Sequence, residues 1–246
     1  MMKLKLRLSR RKEKMKNTCN YIFSGHQPNF LPYMGYFYKM FKSDVFVLDD
    51  DVQYSNSAWH NTNFIKANGQ KLRITIPVSY KYGDLINEVK ICYARNWTDK
   101  LLMTYRMNYG KSNYFNEGYK LLEKHLSIKH ELLSELNIVL IKDIANKFGI
   151  KCKIVIASKD VPTPLKNHNR NVYQCLKLGG NIYYSGTGGA AYNDVEDYAM
   201  NGIKLIYSDY SPIKYKQVGY PFISDLSVID YISNHGYNLP DDWRAV

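Results

Sequence analysis

Tyr21-Ile22-Phe23-Ser24 is followed by Gly25-His26-Gln27-Pro28-Asn29-Phe30-Leu31-Pro32 and, after a helix-length interval, by Asp44-Val45-Phe46-Val47-Leu48. The first run is short and β-prone. Pro28 and Pro32 forbid regular strand pairing in the segment between them, so it is a loop. Over residues 33–42, Met34, Phe37, Tyr38 and Phe41 fall on one face of a helix. The run 44–48 is continuously apolar after its first residue, as expected of a strand buried on both faces. Strand, loop, helix, strand is the opening of a parallel α/β unit.

The pattern extends downstream. Leu72, Ile74 and Ile76 alternate with Arg73 and Thr75, predicting a half-buried strand that ends at Pro77, and 86–91 is a further strand candidate. Residues 97–148 read as helical. The clearest helix spans 129–148, where Leu133, Leu136, Leu140, Ile141, Ile144 and Phe148 recur at three- and four-residue steps until Gly149 stops it. Strands are predicted at 153–157, 181–184 and 203–207, with helices near 166–178 and 190–201. Residues 158–166, with Pro162 and Pro164, look like a linker. The expectation is an α/β fold: a mostly parallel, Rossmann-like sheet flanked by helices, with a helical insertion in the middle. Residues 21–246 would form that single domain after a basic tail at 1–20.

Composition narrows the class. The 246 residues are 45% hydrophobic and 23% charged, ordinary for a globular protein and unlike a fibre or a disordered chain. No apolar run is long enough to span a membrane. The net charge is +12, but residues 1–20 hold eight basic side chains and one acidic, so +7 belongs to that segment. The body is only mildly basic, and no nucleic-acid partner is expected. The segment reads as a solvated tail. Its alternating Lys3-Leu4-Lys5-Leu6-Arg7-Leu8 also suits a peripheral membrane contact through residues 1–16. Cys19, Cys92, Cys152 and Cys175 are far apart, with no C-x-x-C pair, so no metal site is expected. No secretory signal follows the charged start, which points to the cytoplasm and free thiols.

Ligands of open α/β sheets gather outside the carboxyl ends of the strands. The segment Gly25–Asn29 is in that position and offers the imidazole of His26, a candidate general base, with the amides of Gln27 and Asn29. Asp49-Asp50-Asp51 ends the second strand beside Gln53. Side chains alternate along an extended chain, so at most two of these acids face one ligand, and Asp50 is taken as the catalytic candidate. Residues 54–63 read as a polar loop anchored by Trp59, in which Asn61 and Asn63, with Lys66 beyond, can read hydroxyls or phosphate. Ser185-Gly186-Thr187-Gly188-Gly189 follows a predicted strand and resembles a phosphate-binding turn, although no Gly-Lys-Ser/Thr makes it a P-loop. The four segments 25–30, 49–54, 61–66 and 185–192 are expected to form one site.

Several stretches resemble one family. His26-Gln27-Pro28-Asn29-Phe30-Leu31-Pro32-Tyr33-Met34-Gly35-Tyr36-Phe37 is similar to the opening signature of WbqC-like proteins. Asp50-Asp51-Val52-Gln53-Tyr54, Trp59-His60-Asn61-Thr62-Asn63 and Thr75-Ile76-Pro77-Val78 are similar too. Late in the chain, so are Tyr184-Ser185-Gly186 with Tyr192, Tyr215-x-Gln217, and Leu226-Ser227-Val228-Ile229-Asp230 with Gly236. The family commonly has Arg where Thr62 stands. If that Arg grips an anion, Lys66 or Arg73 must replace it here. The resemblance adds Tyr192 and Gln217 to the candidate binding residues, beside Ser185, Gly186 and Thr187 of the 185–189 turn. It implies a role in bacterial surface-glycan (O-antigen) assembly, with a nucleotide-linked sugar as partner. The first reading is acyl or aminoacyl transfer to the amine of that sugar, from an acyl donor as co-substrate, with His26 taking the ammonium proton. An ATP- and Mg-dependent ligase or nucleotidyltransferase of Rossmann-like type is the second. A non-catalytic partner of a glycan-assembling complex is the third.

Overall fold

The computed structural model describes residues 19–244. The basic segment at 1–18, and with it the expected membrane contact through residues 1–16, lies outside the described residues. The chain runs β1 (Ile22–His26), α1 (Met34–Phe41), β2 (Val45–Leu48), β3 (Thr62–Ala67), β4 (Gln70–Thr75), β5 (Val78–Ser79) and β6 (Lys90–Ile91). Three helices follow: α2 (Trp97–Tyr109), α3 (Phe115–Leu126) and α4 (Leu133–Lys147). Then come β7 (Lys153–Ile156), α5 (Ala157–Asp160), α6 (Asn167–Lys177), β8 (Ile182–Ser185), α7 (Val195–Met200), β9 (Lys204–Tyr207) and α8 (Val228–His235).

Five strands form one sheet in the order β7-β2-β1-β8-β9, and every pairing in it is parallel. The chain first builds outward from β1 through β2 to β7. It then returns to the other side of β1 with β8 and then β9. The order therefore reverses between β1 and β8, the Rossmann-like arrangement that opens a crevice at the carboxyl ends of those two strands.

Alternation along β2 shows why the sheet is buried on both faces. Phe46 and Leu48 enter the larger core with α1 and the three central helices, while Val45 and Val47 enter a smaller core with Val172 and Cys175 of α6 and Tyr198 of α7. Gly149, at φ +72°, takes the left-handed conformation that ends α4.

Three local expectations are corrected. The 54–63 polar loop is cut short, because residues from Thr62 onward pair with β4 in an antiparallel hairpin separate from the main sheet. Polar side chains at 61–63 hid that strand. The 86–91 strand reduces to one 3-10 turn and the two residues of β6. The stretch taken as a linker begins with α5, and its prolines form part of a cavity wall.

Candidate functional site

Three buried polar side chains fix the loop between β1 and α1. Asn63 Nδ2 donates to the carbonyls of Phe30 and Leu31 at 3.0 and 2.7 Å. Asn137 Nδ2, from α4, donates to Pro28 and His60 carbonyls. Ser227 Oγ donates to Leu31 as well. Leu31 sits at φ +43°, a strained conformation for a side chain with a Cβ, and two donors on its carbonyl hold it there. Asn63→Ala is therefore expected to destabilise the fold by about 1–3 kcal/mol, because the buried Phe30 carbonyl loses its side-chain donor and Leu31 keeps only Ser227. Urea unfolding measures this, and unchanged stability would remove the structural role from Asn63.

Outside the carboxyl ends of β1 and β8 lies a cavity of about 1150 Å³. His26, Gln27, Gln53, Gly186, Thr187 and Tyr192 line it, as do Asp49, Asp51, Lys39 and Arg170. The 25–30, 49–54 and 185–192 segments are thus brought together at one crevice.

Asp49 and Asp51 face this cavity, and Asp50 does not. Asp50 instead accepts from the backbone N–H and Oγ of Ser158, capping α5. The sequence choice of Asp50 is corrected to its neighbours by simple alternation. Asp49 Oδ1 accepts from Arg170 Nε at 3.0 Å and Gln174 Nε2 at 2.9 Å, and Arg170 Nη2 reaches Asp51. Gly25 lets this carboxylate come close to β1: a Cβ there would stand 3.1 Å from Asp49 Oδ2. Burial pushes the Asp49 carboxyl up, against the pull of Arg170 and Gln174. Lys39 is buried and donates to the Gly25 carbonyl at 2.6 Å. Burial lowers its amine to about 8, opposed by Asp49.

His26 Nδ1 lies 3.2 Å from the Gln27 carbonyl oxygen. That contact places the ring proton on Nδ1 and leaves the Nε2 lone pair as acceptor. The imidazole is lowered to about 3, first by burial and then by Lys39. An imidazole so weakly basic is a poor acceptor for an ammonium proton, so the first role read from sequence needs revision. Burial lowers His60 similarly, to about 4. Both rings bind fewer protons folded than unfolded, so their contribution leaves stability intact above pH 6.5. It erodes stability as the pH falls below that value, levelling near 3–4. His26→Gln is expected to flatten the loss of stability between pH 6 and 4 by up to about 1.4 kcal/mol per pH unit relative to wild type. Denaturant midpoints across that range test it, and identical slopes would contradict the depressed imidazole.

The remaining candidates fall elsewhere. Asn29 is buried beneath the loop and does not line the cavity. Ser185 is buried, donating to the Gly186 carbonyl and accepting from Asn193. It packs so close to Gly189 that a Cβ there would stand 2.1 Å from its oxygen. Lys66 Nζ donates to the Gly219 carbonyl and Gln217 Oε1. Gln217 in turn donates to Asp230 Oδ1 and the Ile223 carbonyl. Tyr109 and Tyr215 also donate to Asp230, completing a buried network that ties β3 to the C-terminal helix. Asn61 accepts from Tyr54 and donates to the Ile76 carbonyl, beside a different groove on the hairpin. Lys66 and Gln217 are thus not among the lining residues, and Asn61 and Asn63 are held by the hairpin and loop. Of the two cations considered as replacements at position 62, Arg73 is beside Thr62, its Nε donating to the Thr62 hydroxyl at 2.8 Å.

Arg170 and Lys39 escaped the sequence reading. Arg170 lies inside a polar helix, and Lys39 looks like the ordinary cation of a helix's last turn. Among the described residues, no group of three or more His, Cys, Asp or Glu is placed to hold a metal ion, and no helix is long and apolar enough to cross a membrane.

Comparison with known proteins adds a relative. An uncharacterized protein of Mycobacterium tuberculosis, Rv1507c, is 29% identical over 222 residues, covering 89% of this chain and 95% of its own length. No solved structure matches. The family model for the WbqC-like protein family matches residues 27–241, from the loop beneath the cavity to the last turn, and the chain belongs to that family.

Proposed function

We propose that the chain is an enzyme of bacterial surface-glycan assembly that binds a nucleotide-linked amino sugar in the crevice between β1 and β8 and transfers an acyl or aminoacyl group to its amine. The observation that carries this reading is the pair of carboxylates, Asp49 and Asp51, facing the same cavity as the neutral imidazole of His26. Arg170 bridges the pair and Lys39 lies beside Asp49, so the four groups balance in charge, and the carboxylate oxygens that Arg170 and Gln174 leave free can accept hydrogen bonds from an ammonium group. Lys39 supplies the opposite sign for a phosphate, and Gly186 and Gly188 leave backbone open at the rim. A volume of about 1150 Å³ exceeds the roughly 300–1,000 Å³ of ordinary small-ligand clefts, and suits a nucleotide-linked sugar better than a free one.

In this reading the bound ammonium loses its first proton to solvent in the open cavity, the neutral amine attacks the acyl carbon, a C–N bond forms as the acyl–carrier bond breaks, and the carrier leaves with the proton that the adduct releases through His26. Addition makes the nitrogen-bound proton far more acidic than it was in the free amine. His26 Nε2, weak as it is, accepts that proton rather than the first ammonium proton. The Nδ1 contact with the Gln27 carbonyl favours the protonated ring as it forms.

The test is thermal stabilisation by a nucleoside-diphosphate-linked amino sugar, its N-acetylated counterpart and the nucleoside diphosphate alone. The amine-bearing ligand is expected to raise the melting temperature most, and Asp51→Asn to erase its advantage over the N-acetylated form. Equal stabilisation by both sugars, or none, would overturn the proposal. Acyl transfer is then read by mass spectrometry of the sugar product with candidate activated acyl donors. ATP hydrolysis coupled to product would move the reaction to the ligase class.

A further inference from the structure

We propose that the groove on the β3–β4 hairpin is a second ligand site, for a sugar that carries a carboxylate or phosphate. Register fixes which side chains share this face. Thr62 pairs with Thr75 and Phe64 with Arg73, and all four line a groove of about 610 Å³. The alternate residues Ile65 and Ile74 are buried in the core on the opposite face. The groove thus belongs to the solvent side of the hairpin. It is distinct from the crevice at the sheet ends, although Gln53 lines that crevice and the next residue, Tyr54, lines the groove.

Its walls are aromatic. Trp59 is 50% exposed and Tyr80 41%, unusually open for rings of this size. The Trp59 and Phe64 rings meet at 69°, and those of Tyr54 and Tyr80 at 57°. Neither pair forms the parallel slot that clamps a flat base; each leaves a single ring face against which the apolar face of a sugar can lie. Asn56 and Ser57 border the groove with groups able to meet hydroxyls.

The cation gives the ligand its charge. Arg73 Nε donates to Thr62 Oγ1, which fixes the guanidinium plane. Among the described residues, no carboxylate lies within ion-pair distance of Arg73, and its terminal nitrogens make no hydrogen bond. An oriented, unpaired guanidinium is suited to bidentate binding of a carboxylate or phosphate. Ring stacking and an anion clamp within one groove together select an acidic sugar.

The three tryptophans make the test direct. Trp97 and Trp243 are 6% and 3% exposed, so a ligand-dependent change in tryptophan emission reports Trp59. Methyl glucuronide, glucose 1-phosphate and neutral methyl glucoside are titrated into the full chain. A saturable emission change is expected with at least one anionic sugar, and which one responds identifies the anion. Arg73→Gln is expected to weaken that response at least about tenfold while the melting temperature holds, with Arg73→Lys in between. Trp59→Phe should abolish the signal, and Asp51→Asn, in the other cavity, should leave it unchanged. No saturable change up to roughly 50 mM, far weaker than useful affinities, would overturn the proposal. So would an equal response to the neutral glucoside, or full retention in a folded Arg73→Gln protein.

Discussion

Arg170→Leu is expected to cost about 3–5 kcal/mol of folding stability, a fall of roughly 6–20 °C in melting temperature for a chain of this size. The side chain is buried between α6 and the end of β2, and it is the shared partner of Asp49 and Asp51. Without it, Asp49 keeps only Gln174 as a side-chain hydrogen-bond donor among the described residues. Two carboxylates then face each other's charge with only Lys39, beside Asp49, to offset it. The loss is larger than that of deleting a surface pair, because an exposed ion pair is worth no more than about 1 kcal/mol. Asp51→Asn in the Arg170→Leu background should recover part of the stability, since it removes one uncompensated charge. A loss under about 1 kcal/mol would show that solvent in the cavity already screens the acids.

That arrangement also shows where sequence reading succeeds and where it stops. The opening from Tyr21 to Leu48 was legible because β2 is apolar on both faces and α1 carries one apolar stripe, so periodicity reports burial directly. The position of the crevice followed from strand ends alone. Which acid faces it did not, because Asp49, Asp50 and Asp51 are chemically identical and only their phase along the chain differs. Two of three were expected to point one way; the structure supplies the phase, and Asp50 proves to cap α5. Arg170 was hidden for another reason. Its partners are 119 and 121 residues away, and nothing local marks an arginine in a polar helix as buried. The first strand of the hairpin was missed because Asn61 and Asn63 are poor strand markers, and their side chains, like that of Thr62, are satisfied by carbonyls of neighbouring segments. The same pairing explains why Asn61, Asn63 and Lys66, adjacent in sequence to plausible ligand residues, serve the scaffold. A polar side chain can bind a ligand or pin a loop, and residue type alone does not separate the two.

His26→Ala is expected to lower turnover of the proposed acyl transfer by at least roughly 10²-fold while leaving the melting temperature near wild type. The ring is partly covered, lies 5.0 Å from the Tyr36 ring and makes one contact with a neighbouring carbonyl. Its removal therefore takes little packing and strands no distant partner, since Tyr36 still donates to the Gln27 carbonyl at 3.1 Å. Catalytically the loss is specific. The imidazole is held neutral to about pH 3, so its acceptor nitrogen is available across the whole physiological range. The dependence of kcat/KM on pH should accordingly show no inflection near 6.5 from this residue; one there would mean that the free enzyme's imidazole titrates normally and that burial does not control it. His26→Gln separates position from proton transfer. Glutamine reaches a similar distance and can accept a hydrogen bond, but it does not take up a proton at these pH values. If the glutamine variant keeps full turnover, His26 orients the substrate without accepting its proton. The proton then passes to Asp49 or Asp51, the remaining bases that face the cavity. If it falls with the alanine variant, the weakly basic imidazole is the acceptor, and its low basicity matches a donor made acidic by addition to the acyl carbon.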